Sequence, residues 1–254
     1  MRPDVLICAG LDPSGGAGLI ADVRVLSELG ARPNGVVTAL TVQNTTGVSE
    51  WHATDPDVVA TQLSFLLGDI ELSAVKIGMI GSLALARAIG EALNATSAPV
   101  VWDPVAGPTL GNAAYHESFE DAVAALRPHL TLITPNAREL ALLTQLPVTD
   151  LASAEAAGRA LARTLDTAVL VKGGHLEGDQ AIDVLIHRAT RHELRGPRLA
   201  GESVHGTGCA LSSAIAAYLA LGRDLVVACR DAKEYVAERI AKPARPGRGA
   251  PAVL

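Results

Sequence analysis

Short runs of β-branched and apolar residues alternate along the chain with alanine-rich stretches of helical period. Residues 5–9, 36–41, 75–78, 100–103, 130–134 and 168–172 read as strands apolar on both faces, the pattern of a buried parallel sheet. Residues 17–29, 56–67, 83–93, 119–126, 137–143 and 153–165 read as the helices between them. Two consecutive helices, near 207–221 and 225–240, close the pattern. Such βαβ alternation predicts an α/β fold with a mostly parallel central sheet and helices on both faces. Residues 182–194 alternate polar and apolar positions and predict an antiparallel hairpin at one edge of that sheet. No shift of composition divides the chain, so residues 1–241 are expected to form a single domain. Residues 242–254 are rich in Pro and Gly, and that composition predicts a flexible end.

Composition narrows the function classes. Hydrophobic residues make up 49% of the 254 residues and mean hydropathy is +0.29, which excludes a disordered chain. Two Trp, three Tyr and two Phe are too few for a base-stacking platform. A formal charge of -6 argues against a nucleic-acid coat. Cys8, Cys209 and Cys229 are far apart and form no CxxC, so neither a disulfide framework nor a zinc ribbon fits. A reducing, cytoplasmic setting is the expectation. The apolar run 5–11 is bracketed by Asp4 and Asp12 and reads as a strand rather than a leader. The longest apolar stretch, 210–221, is shorter than the roughly 18 residues of a membrane span.

In a parallel sheet, ligands bind beyond the carboxyl ends of the strands, so the residues just past each strand carry the chemistry. The first strand leads into Gly10-Leu-Asp-Pro-Ser-Gly-Gly-Ala-Gly18 and a helix containing Asp22. This loop lacks the GxGxxG spacing, and no GxxxxGK[ST] occurs in the chain. Its glycines admit close approach of a ligand, and a helix-entry turn capped by Asp12 or Ser14 explains it as well. Gln43 comes after the second strand with an amide suited to a heterocycle's edge. Gly78 and Met79 come after the third and could line a flat apolar pocket.

Asp103 ends the fourth strand, and Asn136 and Glu139 open the helix after the fifth. Such oxygen donors suit Mg²⁺ beside phosphate, while Asn136 and Glu139 also form a capping-box pattern. Lys172, at the end of the sixth strand, offers a point charge for phosphate or simply reaches water. Gly206-Thr-Gly208-Cys209 opens a long helix, whose free N–H groups make an anion site. The same field predicts a lowered pKa for Cys209. Cys8 and Cys229 read as core packing.

These segments resemble the hydroxymethylpyrimidine/phosphomethylpyrimidine kinases of thiamine biosynthesis, within the ribokinase-like superfamily. The resemblance spans about residues 4–240 and rests on seven motifs in order. They are GLDPSGGAG from Gly10, ALTVQNT from Ala39, KIGM from Lys76, WDPV from Trp102, TPNARE from Thr134, VKGGH from Val171 and HGTGC from His205. It implies a ribokinase-like three-layer sandwich, ATP and Mg²⁺, a small pyrimidine substrate and usually a homodimer. It places Asp22 and Gln43 on the aminopyrimidine, with Gly10, Val42 and Met79 lining the pocket. It gives Asp103, Asn136 and Glu139 the metal and phosphates, with Asp103 and Glu139 reaching the metal through water. Lys172 meets the phosphate charge, Gly206, Thr207 and Gly208 form the anion hole, and Cys209 stands where many relatives in the wider superfamily carry an Asp base.

The implied activity is ATP-dependent phosphorylation of a hydroxymethylpyrimidine and of its monophosphate. A Cys suits both steps, because a fixed carboxylate would repel the monophosphate and a thiol need not. One segment departs from the family: where a Lys-Ser-Gly stretch is common in a lid, this chain has 106–115 with no Lys or Arg, leaving Asn112, Tyr115 or His116 as polar candidates. Leu11 also replaces a common Ser. Two other readings fit the same residues, a related small-alcohol kinase such as a pyridoxal kinase and a non-catalytic pyrimidine- or nucleotide-binding module.

Overall fold

The computed structural model describes residues 1–105, 119–174, 180–188, 190–198 and 203–253. Nine strands form one sheet in the order β3-β2-β1-β4-β5-β6-β7-β8-β9. They are β1 (Asp4–Leu11), β2 (Arg32–Asn44), β3 (Gly47–Ala53), β4 (Ala74–Ile77), β5 (Val100–Trp102), β6 (Leu130–Ile133), β7 (Ala168–Val171), β8 (Gln180–His187) and β9 (Thr190–Pro197). The strands from β2 through β1 to β7 pair parallel, and antiparallel strands finish both ends of the sheet. The helices are α1 (Gly18–Glu28), α2 (Pro56–Leu67), α3 (Leu83–Leu93), α4 (Phe119–Leu126), α5 (Ala137–Thr144), α6 (Leu151–Leu165), α7 (Thr207–Ala220) and α8 (Leu225–Ala241).

Period-2 geometry sends alternate residues of β1 to opposite layers. Leu6 and Cys8 join the core under α2 to α6, whereas Val5, Ile7 and Ala9 join the one under α1, α7 and α8. The sheet is therefore covered on both faces, which is why its central strands are apolar throughout. Local chemistry sets the helix starts: the Asp55 carboxylate accepts from Asp57 N at 2.8 Å with Pro56 in the first turn, and Ser82 accepts from Leu85 N. Successive connections leave β1 to β2 on one side and to β4 on the other. The order reverses there, between β1 and β4, the place where an open α/β sheet forms its ligand crevice.

Two features differ from the expectation. β3, which turns back from β2 to make a hairpin, is a second antiparallel edge with no counterpart in the predicted strands. Its residues alternate weakly and are half-buried or exposed, so it lacks the apolar run that marks the inner strands. The carboxy-terminal residues also fold back instead of trailing free. Ala244 and Ala252 pair with each other, Ala252 pairs with His205, and Pro251, Ala252 and Val253 are buried. Composition could not show this, because the backbone hydrogen bonds that hold the segment come from loops distant in sequence.

Candidate active site

The crevice gathers the strand ends. Asp103, just past β5, is 1% exposed; its Oδ1 accepts from Lys172 Nζ at 2.7 Å and lies 3.4 Å from the Thr134 hydroxyl. Glu139 reaches the same ammonium at 3.6 Å. Asn136 and Glu139 do form the capping box of α5: Asn136 Oδ1 accepts from Glu139 N at 2.9 Å, and Glu139 Oε2 accepts from Asn136 N at 2.7 Å. The capping box is the structural role, and it also fixes the Glu139 carboxylate beside Lys172. Burial raises the pKa of Glu139, with Lys172 opposing and Asp103 reinforcing. Burial works against the charge of Lys172, but Asp103 and Glu139 outweigh it and hold its pKa above the ordinary lysine range.

The amino end of α7 closes the crevice. Gly206, its N-cap, has φ +83, and a Cβ there would stand 1.9 Å from Gly16 O. Only glycine allows this interlock between the first loop and the helix start. A Cβ on Gly208 would stand 3.3 Å from both Asp103 Oδ2 and Lys172 Nζ. The helix terminus, a carboxylate and an ammonium therefore meet at one point, a place suited to a phosphoryl group.

Cys209 lies in the first turn of α7, and here the structure corrects the expectation. Its pKa is pushed up to about 11, chiefly by burial. The nearby Lys76 charge and the Gly18 N–H favour the thiolate, but Asp22 and Asp103 disfavour it and burial prevails. Near neutrality the residue is a thiol.

On the substrate side, Gly10 packs near Met79, with a Cβ at Gly10 meeting the Met79 sulfur at 3.4 Å. Val42 is 48% exposed and Gln43 half-buried on β2, beside a surface hollow lined by Val42, Gln43, Asn44 and Thr46. Asp22 lies in the interior between Lys76 and Ser213. It is wholly buried, its Oδ2 accepts from Lys76 Nζ at 2.5 Å and its Oδ1 from the Ser213 hydroxyl at 2.8 Å. The two bonds tie Asp22 to β4 and to α7, and each oxygen keeps a further lone pair. Lys76 opens the KIGM motif, and its part in the structure is this buried pair with Asp22; its signal in the sequence is a lysine inside an otherwise apolar strand. A Cβ at Gly78 would meet its ammonium at 2.8 Å, so Gly78 keeps its space.

Among the described residues no group of three or more His, Cys, Asp or Glu side chains is arranged for a metal. Asp103 Oδ2 and Glu139 Oε1 nevertheless make no hydrogen bond there. Two carboxylate oxygens without a hydrogen bond among the described residues, beside the amino end of α7, fit Mg²⁺, which commonly takes one or two carboxylates plus water and phosphate oxygens. The segment with Asn112, Tyr115 and His116, and His175 of the VKGGH motif, lie outside the described residues.

A mostly parallel, three-layered α/β sheet with a helix amino end, an acid pair and a lysine at its carboxyl edge defines a phosphotransferase of ribokinase-like fold. The phosphomethylpyrimidine kinase family model matches residues 12–253, and the chain belongs to that family. A Streptomyces coelicolor hydroxymethylpyrimidine/phosphomethylpyrimidine kinase is 41% identical over 92% of this chain and 87% of that relative. The Escherichia coli protein of the same name is 38% identical over 95% and 92%. Among solved structures, a Clostridium difficile phosphomethylpyrimidine kinase superposes with a TM-score of 0.81 at 33% identity, covering 94% of this chain and 100% of that one. A Staphylococcus aureus pyridoxal kinase in complex with AMP-PCP and pyridoxal reaches 0.90 at 28%, covering 100% and 93%. No helix among the described residues is long and apolar enough to cross a membrane.

Proposed function

We propose that the chain transfers the γ-phosphoryl group of ATP to the hydroxymethyl group of 4-amino-5-hydroxymethyl-2-methylpyrimidine, and then to the resulting monophosphate, in thiamine biosynthesis. The observation that carries this reading is the convergence at Gly208 of the α7 terminus, Asp103 and Lys172. The N–H groups of Gly206, Thr207 and Gly208 stabilise charge on the transferring group, and Lys172 neutralises its oxygens. Asp103 and Glu139 would hold Mg²⁺ through water, with Asn136 fixing Glu139; the ion, when bound, neutralises the phosphate oxygens. Gly10, Val42, Gln43 and Met79 form the pyrimidine pocket, with Asp22 and Lys76 beneath it.

Cys209 faces the hydroxymethyl group as a neutral thiol. Its sulfur can accept a hydrogen bond from that hydroxyl and so hold it in place for attack, while the hydroxyl proton leaves to a phosphoryl oxygen or to water as the P–O bond forms and the bond to ADP breaks. For the second transfer the nucleophile is already an anion, and a neutral thiol does not repel it. A homodimer and a cytoplasmic setting complete the reading and are open to light scattering and cell fractionation.

The S. aureus pyridoxal kinase likeness keeps a second substrate in view. Steady-state kinetics with ATP and three acceptors, namely the hydroxymethylpyrimidine, its phosphate and pyridoxal, tests the reading. kcat/KM for the two pyrimidines is expected to exceed that for pyridoxal. A preference for pyridoxal would replace the substrate, and no turnover with any of the three would remove the enzyme reading.

A further inference from the structure

His205, the residue before the anion hole, touches the pyrimidine pocket through one atom. Its Nε2 lies 3.1 Å from Asp12 Oδ2 and 3.1 Å from Gln43 Nε2. A neutral imidazole nitrogen either donates or accepts, so these two contacts compete. Asp12 decides between them. It is 3% exposed, and its carboxylate already organises the first loop by accepting from Ser14 N at 2.8 Å, the Ser14 hydroxyl at 2.7 Å and Ala17 N at 3.1 Å. Burial works against its charge, but the hydrogen bonds from His205 and Ser14 outweigh that and lower its pKa. A lone pair on Nε2 facing this carboxylate would be repelled, so the proton sits on Nε2 and Asp12 accepts it. An amide N–H cannot meet an N–H. A half-turn of the isosteric Gln43 amide brings Oε1 to His205 instead, and the same Nε2–H serves both acceptors.

The ring cannot drift from this position. A Cβ on Gly16 would stand 2.7 Å from His205 Cδ2, so the first loop lies directly under it. The carboxy-terminal segment holds its backbone: His205 N donates to Pro251 O at 2.7 Å, and Val253 N donates to His205 O at 3.1 Å. The same segment grips the β2–β3 turn two residues beyond Gln43, where Ala250 N donates to Thr45 O at 2.9 Å and Gly249 N to the Thr45 hydroxyl at 3.1 Å.

We propose that His205 is a positioning residue for Gln43: donating from Nε2 to Asp12, it also holds the Gln43 amide by its oxygen and turns the two amide N–H donors toward the ring-nitrogen acceptors of the pyrimidine. This rests on the pyrimidine reading of the pocket. Its consequence is that recognition of the ring depends on a residue of the α7 approach and on the carboxy-terminal segment behind it, as well as on the pocket wall.

A double-mutant cycle tests it. His205→Leu removes the donor at a half-exposed position while keeping bulk. It is expected to raise KM and the calorimetric Kd for the hydroxymethylpyrimidine about tenfold, the scale of one hydrogen bond, with kcat and the KM for ATP within about twofold. Since His205 acts through Gln43, His205→Leu added to Gln43→Ala is expected to cost nothing further. His205→Gln, which returns an N–H donor, is expected to recover most of the affinity. Additive losses in the double variant, a loss in kcat with KM unchanged, or failure of His205→Gln to do better than His205→Leu would overturn the proposal. A wild-type chain that neither binds nor phosphorylates the pyrimidine would instead overturn the function reading, so the two failures are distinguishable.

Discussion

At Cys209 two physical effects oppose each other. The amino end of α7, the Gly18 N–H and Lys76 all favour a thiolate, yet the side chain is half-buried among Asp22 and Asp103 and desolvation outweighs them. A sequence shows the helix start but not how deeply the crevice closes over it, which is why the field was legible and its outcome was not. Alkylation of Cys209, followed on its own peptide by mass spectrometry, is therefore expected to be slow at pH 7. It should rise about tenfold per pH unit up to about pH 11; a plateau reached by pH 8 would contradict the assignment. Cys209→Ala is expected to lower kcat/KM on the alcohol by about tenfold, the scale of one hydrogen bond, and on the monophosphate by far less, and equal losses would refute the division of labour. Lys76 and Asp22 make a different residue-scale prediction. Neither is exposed, so Lys76→Met strands a buried carboxylate and is expected to cost about 3–5 kcal/mol in urea unfolding. Replacing both with apolar residues should recover much of that.

At the scale of elements, the start of α7 and the carboxy-terminal segment are built on glycines that touch backbone. Gly206→Ala would force a Cβ against Gly16 O at a positive φ. It is expected to cut kcat by roughly a hundredfold, the effect of spoiling one oxyanion donor, while the KM for the pyrimidine changes less; unchanged kcat would remove Gly206 from the anion hole. Ending the chain after Pro246 is expected to raise that KM severalfold with a native circular-dichroism spectrum. A truncated enzyme with wild-type kinetics would show the segment to be idle. Helices with a strong cap or Pro at the start were legible to the residue, as at Pro56–Leu67 and Leu83–Leu93. β3 and the carboxy-terminal segment were not, because each is fixed by partners far away in sequence rather than by its own apolar pattern.

For the molecule as a whole, the sheet's reversal at β1 explains why distant motifs form one site. The first loop comes from β1, Gln43 from β2, Met79 from β4, and Asp103, Asn136 and Lys172 from β5, β6 and β7 in turn. Each was legible as a polar or glycine-rich break after an apolar run, and the parallel order then brings the breaks to one edge. Hidden in the sequence are the links between them: Lys76 under Asp22, and His205 between Asp12 and Gln43. In the proposed mechanism the net charge of -6 is no obstacle to anionic substrates, because Lys172 and helix N–H groups, rather than a basic surface, would meet the phosphate. The central claim, that this edge is a kinase site for a pyrimidine alcohol and its phosphate, is tested most directly by single-turnover transfer from γ-labelled ATP to each pyrimidine in turn. Label appearing first in the monophosphate and then in the diphosphate is the predicted result. ATP consumed with label only in inorganic phosphate, or transferred to pyridoxal alone, would contradict it.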